Sequence, residues 1–246
     1  MMPAVLRTVT ATRYVTPLRE GGSLPGLVEA DDDGLYVLKF RGAGQGPRAL
    51  AAEVIAGELA RALGLPVPEL VLIELDRELG HAEPDPEIQD LIAASAGVNL
   101  GVDFLPGALP YAPARPPDAA LAADVVWFDA LVTNVDRTPR NPNLLLWHER
   151  LFLIDHGAAL YAFHAGDPLA QAGSPFAAIR EHVLLAAAAP VAEADARLAE
   201  PARAAADAAA ALVPAEWADG GPYADFLRRR LDGERAWVEE AERART

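Results

Sequence analysis

The fold of this chain is decided by residues 133–160, which read TNVDRTPRNPNLLLWHERLFLIDHGAAL. Two apolar runs, 144–147 and 151–154, flank a short polar turn at residues 148–150, and this pattern predicts a β-hairpin. Polar residues precede the first run and follow the second. The hairpin would therefore bring an amide-bearing loop against a carboxylate at its open end.

The expected register of the hairpin follows from the length of its turn. A turn centred on these three polar residues places Leu145 near Leu153. In the same register Asn143 lies opposite Asp155, and Asn141 lies one step further out. A slip by one position would change the pairs but would still leave the amides beside the carboxylate.

Asp136 lies five residues before Asn141 in the same loop, where Pro139 and Pro142 limit backbone freedom. Carboxylate and amide oxygens are ligands that Mg²⁺ prefers. Asn141 and Asp155 supply such a pair, which leaves Asp136 to orient or deprotonate an incoming hydroxyl. Taken singly, Asn and Asp beside Pro more often cap turns. The joint pattern nevertheless favours a phosphoryl-transfer site.

Composition excludes several classes of function. The 246 residues are 52% hydrophobic, enough for one large domain or two small lobes, and the absence of cysteine rules out disulfides and thiolate chemistry. A net charge of −15 argues against nucleic acid or an anionic membrane as a partner, since the one basic run, residues 228–230, lies among acidic residues. No apolar stretch suits a membrane helix, so we expect a cytoplasmic protein.

Strands and helices occupy different parts of the chain, which favours the α+β class. A Pro-rich stretch, 106–117, is the expected linker between an N-terminal lobe, 1–105, and a C-terminal lobe, 106–246. Predicted strands cover residues 9–19, 27–29, 35–40, 67–75 and 98–105, and predicted helices cover 48–63, 118–132 and segments after 179.

The chain has a single lysine, Lys39, near the end of the third predicted strand, and twenty arginines. Arg and Lys are not interchangeable where a compact ammonium must bind phosphate. Chance could also leave one lysine in an arginine-rich chain. The position is therefore of interest chiefly because of the motifs that follow it.

These motifs resemble those of a known superfamily. Asp136-x-x-x-x-Asn141, followed by a hairpin and Asp155-His156-Gly157, resembles the catalytic loop and metal-binding motif of protein-kinase-like enzymes. The resemblance is strongest to bacterial HipA-like kinases, in which an opening such as Asn134-Val135-Asp136 is typical. The same loop is also similar to that of phosphatidylinositol kinases.

The resemblance implies a two-lobed kinase-like fold, with an N-terminal antiparallel β-sheet carrying one helix and a mainly helical C-terminal lobe. It further implies that ATP and Mg²⁺ are bound. The roles it implies are catalysis by Asp136, metal binding by Asn141 and Asp155, contact with ATP phosphates by Lys39, and a phosphate-covering loop at Gly21, Gly22 and Ser23.

The sequence departs from the family pattern at two places. No G-x-G-x-x-G precedes Lys39, and His156 stands where kinases usually have phenylalanine. The carboxylate partner of the lysine has two candidates. A helical wheel over 50–63 places Glu58 within the apolar arc, whereas family spacing favours Glu53, which we take as the partner.

The expected function is transfer of a phosphoryl group from ATP to a hydroxyl of an unidentified acceptor, such as a protein serine or threonine. Arg137 and Arg140 would add positive charge near the transferring group. One alternative is a small-molecule phosphotransferase of the aminoglycoside or choline kinase kind. Another is a non-catalytic module that binds ATP or a partner such as an antitoxin-like protein.

Overall fold

The computed structural model describes residues 5–18, 24–44, 46–163 and 166–246. The chain divides into two compact units. The first comprises residues up to Ala51, Pro68–Pro106 and Glu216–Ala218. The second comprises the remaining ranges, Ala52–Val67, Gly107–Ala215 and Asp219–Thr246.

The first unit is built on a closed barrel of five strands in the order β1-β2-β3-β5-β4. Its pairs are antiparallel except for β1 with β4, which run parallel and close the barrel. The sequence predicted an antiparallel sheet, and this parallel closure was not foreseen. The strands are β1 Thr8–Pro17, β2 Gly26–Ala30, β3 Leu35–Lys39, β4 Leu70–Leu75 and β5 Gly97–Asp103.

Alternation of side chains along the strands fills the barrel. In β3 the buried members are Tyr36 and Leu38, which leaves Lys39 on the opposite face of the strand. The β2–β3 turn is set by Asp33, whose backbone φ is 60°, and by a hydrogen bond from the Gly34 N–H to the Asp32 carboxylate.

The helical elements make up most of the second unit. The helix predicted over 48–63 is found as α1, and the helix predicted over 118–132 is found as α3. Across both units, the helices are α1 Pro47–Ala62, α2 Pro86–Ala94, α3 Ala119–Leu131, α4 Pro168–Gln171, α5 Val191–Ala210, α6 Gly221–Asp232 and α7 Ala236–Arg245. A small sheet has the order β6 Leu109–Pro110, β7 Leu144–Trp147 and β8 Arg150–Leu153, and 3₁₀ turns lie at Arg77–Ala82, Tyr161–Phe163, Ala177–Glu181 and Leu185–Ala187.

Helix α3 is the centre of the second unit. Its spacing predicted one buried face, yet nine of its thirteen residues are buried, because α5, α6 and α7 all pack against it. Trp127 of α3 contacts Trp237 of α7 with ring centroids 5.4 Å apart. An enclosed helix of this kind gives a rigid base for the loop that follows it.

The architecture confirms the predicted α+β class, with an N-terminal sheet followed by a mainly helical remainder. In the ranges that the structure describes, no helix combines the length and the apolar character needed to cross a membrane.

Candidate active site

The hairpin that follows the polar loop has a tighter turn than predicted. Leu145 pairs with Phe152, and Trp147 pairs with Arg150. Only two residues form the turn, His148 and Glu149, with φ values of 47° and 62°. Two residues with positive φ suit the twist of a hairpin. The turn therefore has two residues rather than the predicted three, and the predicted register was wrong by one position.

The corrected register moves Asp155 beyond the last strand pair. The Ile154 N–H donates to the Asn143 carbonyl over 3.0 Å, so Ile154 rather than Asp155 lies opposite Asn143. Asn143 and Asp155 both adopt left-handed backbone conformations, with φ values of 49° and 55°. Backbone in this region costs energy that the surrounding structure must offset, and such residues concentrate at functional sites.

The Asp136 carboxylate is held through one of its two oxygens. Asn141 Nδ2 donates to Asp136 Oδ2 over 2.7 Å, and Asn143 Nδ2 donates to the same oxygen over 3.2 Å. The structure thus brings Asp136 and Asn141 into direct contact within the loop that they share. It also adds Asn143, for which we had expected a place on the hairpin but no contact with Asp136.

The residues assigned to a metal suit Mg²⁺ chemically. Asn141 uses its amide nitrogen on Asp136, so its oxygen keeps the lone pairs that a hard cation needs. Asp155 would add a carboxylate oxygen. The described parts of the chain hold no group of three or more His, Cys, Asp or Glu that could bind a metal. Mg²⁺ itself usually takes only one or two carboxylates from a protein.

Beneath the loop lies a fully buried ion pair that the sequence did not reveal. Arg137 Nε donates to Asp129 Oδ2 over 2.5 Å, and neither side chain is exposed. His182 Nε2 lies 2.8 Å from the same oxygen. Burial alone would raise the pKa of the Asp129 carboxyl, but the Arg137 charge and the contact with His182 outweigh it and hold that pKa well below its usual range.

This burial corrects the expected role of Arg137. Its Nη1 donates to the carbonyls of Asn143 and Ile154, at 2.5 and 3.4 Å, so the guanidinium supports the loop from below. It is not placed to neutralise a phosphoryl group. Arg140 is exposed, as its expected role requires.

Asn134 forms a second link between α3 and the loop. Its Nδ2 donates to Asp129 Oδ1 over 3.0 Å, and its Oδ1 accepts from the Asp136 N–H over 3.1 Å. The Asn-x-Asp opening in the sequence marked this residue without indicating why an amide is needed. An amide can donate to one partner and accept from the other, which neither a carboxylate nor an ammonium can do.

The two candidate glutamates of α1 differ in burial. Glu53 is 1% exposed, and its Oε1 lies 3.7 Å from His156 Nδ1. Glu58 is only partly buried and pairs with Arg61 at 3.3 Å, so the helical wheel pointed to the wrong glutamate as the buried one. His156 is also buried and packs edge-on against Phe128, with ring centroids 6.2 Å apart.

The remaining predicted nucleotide contacts belong to the first unit. Lys39 is the last residue of β3 and pairs with Leu100 of β5. The predicted loop residues Gly21, Gly22 and Ser23 lie outside the described residues. A pairing of Lys39 with Glu53 stays a prediction.

Comparison with solved structures defines the class of fold. The proinflammatory kinase CtkA of Helicobacter pylori matches with a TM-score of 0.58 at 15% identity, over 97% of this chain and 98% of that one. The Golgi casein kinase with Mn and ADP bound matches with a TM-score of 0.56 at 13% identity, over 98% of this chain and 73% of that one. This chain therefore has a protein-kinase-like fold.

The match to a family model gives a more specific classification than the fold does. The family model described as HipA-like kinase matches residues 12–230, which is most of the chain. The chain belongs to the HipA-like kinase family, as its catalytic-loop motifs indicated. A search of the curated proteins matched none of them.

Proposed function

We propose that this chain transfers the γ-phosphoryl group of ATP to an acceptor hydroxyl, such as that of a protein serine or threonine, with Mg²⁺ as the metal. The observation that carries the proposal is the Asp136 carboxylate, which two side-chain amides hold through Oδ2. A carboxylate fixed in this way keeps the lone pairs of its other oxygen for an incoming hydroxyl.

Each residue has a stated part in the reaction. Asp136 Oδ1 orients the acceptor hydroxyl and takes its proton as the new P–O bond forms and the bond to the ADP oxygen breaks. Asn141 and Asp155 would hold Mg²⁺, which when bound neutralises charge on the phosphates. Lys39 would bind phosphate as a compact cation.

Two comparisons support nucleotide and metal binding. Family membership places the chain among HipA-like kinases, and a neighbour with the same fold holds Mn and ADP. At 13% identity that neighbour supports the fold rather than a shared substrate. The choice of Mg²⁺ comes from the chemistry of one amide oxygen and one carboxylate.

A thermal-shift titration tests the nucleotide site first. A ligand that binds only the folded state raises the Tm, and a concentration 100 times Kd adds about 2.7 kcal/mol of stability. We expect ATP with Mg²⁺ to raise the Tm of the wild-type protein and to raise that of Asp155→Asn much less. The matched control is Asp90→Asn, the same change at an exposed position of α2.

Transfer is then measured with labelled ATP against the protein itself, added proteins and small amines or alcohols. Label in a protein supports the proposal, and label confined to a small amine or alcohol would favour the small-molecule alternative. If no shift and no transfer were seen in the wild-type protein, the proposed function would be wrong.

A further inference from the structure

A segment far along the chain reaches the loop that carries Asp136. Directly after the 3₁₀ turn Ala177–Glu181, the His182 ring contacts Asp129 over 2.8 Å. The next residue, Val183, donates its N–H to the Arg137 carbonyl over 3.1 Å. The His182 side chain is 1% exposed, so solvent does not compete for these contacts. The segment is thus attached at two adjacent points.

The backbone selects one tautomer of His182. The Leu184 N–H donates to His182 Nδ1 over 3.1 Å, so that nitrogen must carry a lone pair. The ring proton then lies on Nε2 and points along the short contact to Asp129 Oδ2. His182 is therefore a fixed donor to the carboxylate that holds Arg137.

From Asp129 two routes lead to Asp136. In the first, Arg137 bridges Asp129 to the Asn143 carbonyl, and the Asn143 side chain donates to the Asp136 carboxylate. In the second, Asn134 bridges Asp129 to the Asp136 N–H. Through these contacts, the two buried carboxylate oxygens of Asp129 help to position both the carboxylate and the backbone N–H of Asp136.

We propose that His182 is a positioning residue for phosphoryl transfer, acting through Asp129 and Arg137 on Asn143 and hence on the Asp136 carboxylate. The kinetic part of this inference rests on the proposed function. Loss of the Nε2 donor lets the buried Asp129–Arg137 pair shift, and the Asn143 amide shifts with it. Displacements of about 1 Å in such supports cost up to about 100-fold in rate.

The asparagines allow a test that does not depend on activity. The chain has four, Asn99, Asn134, Asn141 and Asn143, so ¹⁵N-asparagine labelling gives four side-chain amide signals. Three belong to this loop, whereas Asn99 donates to carbonyls of the first unit and is an internal control. In His182→Ala we expect the loop amides to shift and to exchange faster with solvent, with the Asn99 signal unchanged.

Kinetics tests the same variant when wild-type transfer is measurable. His182→Ala is expected to lower kcat about 10- to 100-fold with little change in the KM for ATP. His182→Gln keeps an N–H donor near the position of Nε2, so it should recover much of the loss. The control is His81→Ala at an exposed 3₁₀ position, which should match the wild-type protein.

The outcomes separate the two proposals. Shifted loop amides in His182→Ala, together with no transfer by the wild-type protein, would support the structural link from His182 to the loop and overturn the proposed function. Unchanged loop amides in folded His182→Ala, or an unchanged kcat measured well below its Tm, would overturn positioning. If His182→Ala does not fold, ¹⁵N-histidine spectra of the wild-type protein test the inference by showing which ring nitrogen of His182 carries the proton. A protected Nε2–H tautomer supports the inference, and an Nδ1–H or rapidly exchanging ring contradicts it.

Discussion

The side-chain amide of Asn143 donates to Asp136 Oδ2 over 3.2 Å, while the backbone carbonyl of Asn143 accepts from Arg137. Asn143 thus links the Asp136 carboxylate to the buried ion pair of Arg137 and Asp129. Asn143 has a left-handed backbone, with φ of 49°, directly before the start of β7. The consequences for activity and for stability can be measured separately.

Asp136→Asn tests the role of the carboxylate. The amide cannot take a proton from an acceptor hydroxyl, so kcat should fall roughly 10²- to 10⁴-fold. The Mg-ATP thermal shift should persist, because Asp136 is not among the proposed metal ligands. Transfer assays on Asp136→Asn and on the control Asp90→Asn check this expectation. Equal turnover in the two variants would remove Asp136 from the mechanism.

Lys39 can be tested by chemical labelling of the wild-type protein. Because the chain has one lysine, an amine-reactive reagent can modify only Lys39 and the terminal α-amino group. Saturating Mg-ATP should slow labelling of Lys39 in proportion to site occupancy. The terminal amine is the internal control, and its rate should not change. If Mg-ATP raised the Tm without protecting Lys39, the lysine would not be a phosphate ligand.

Arg137→Met should destabilise the fold strongly. It leaves the Asp129 carboxylate buried and without its cation, which costs about 3–5 kcal/mol for pairs of this kind. Arg140→Met makes the same change at an exposed position three residues away and should stay within about 0.5 kcal/mol of wild type. Urea unfolding measures both. Similar midpoints for the two variants would show that the buried pair contributes little.

The Asp129 carboxyl should also contribute to acid sensitivity. Its pKa is lower in the folded state than the unfolded value of about 3.9, so its stabilising contribution is complete above that value. The contribution is lost as pH falls from there toward the folded pKa. Urea unfolding between about pH 6 and pH 3 should give a flatter dependence for Asp129→Asn than for wild type. Equal slopes would contradict this assignment.

Two glycines in the second unit should respond differently to alanine. A Cβ at Gly220 would overlap the Ala210 carbonyl oxygen, so Gly220→Ala must move α6 away from the end of α5. A cost of about 1–3 kcal/mol is expected. A Cβ at Gly173 meets no described atom within 4 Å, so Gly173→Ala should be near neutral. Thermal unfolding of the pair tests this difference, and equal Tm values would contradict it.

Local pattern in the sequence was sufficient for the elements and for part of the site. Two short apolar runs on either side of a polar turn predicted the hairpin, and local helical patterns predicted α1 and α3, because these signals depend on neighbouring residues. The five-residue step from Asp136 to Asn141 placed both residues in one short loop, but their direct hydrogen bond was found only in the structure.

The sequence by itself determined the α+β class, the carboxylate and amide residues of the loop that carries Asp136, and the resemblance to HipA-like kinases. Only the tertiary structure decided the parallel closure of the barrel, the enclosure of α3 and the contact of His182 with Asp129 from 53 positions away. These features depend on which surfaces pack together, and periodicity does not encode the partner of a buried polar group. For that reason Arg137 was assigned to the phosphoryl group by its place in the motif, although burial commits it to Asp129.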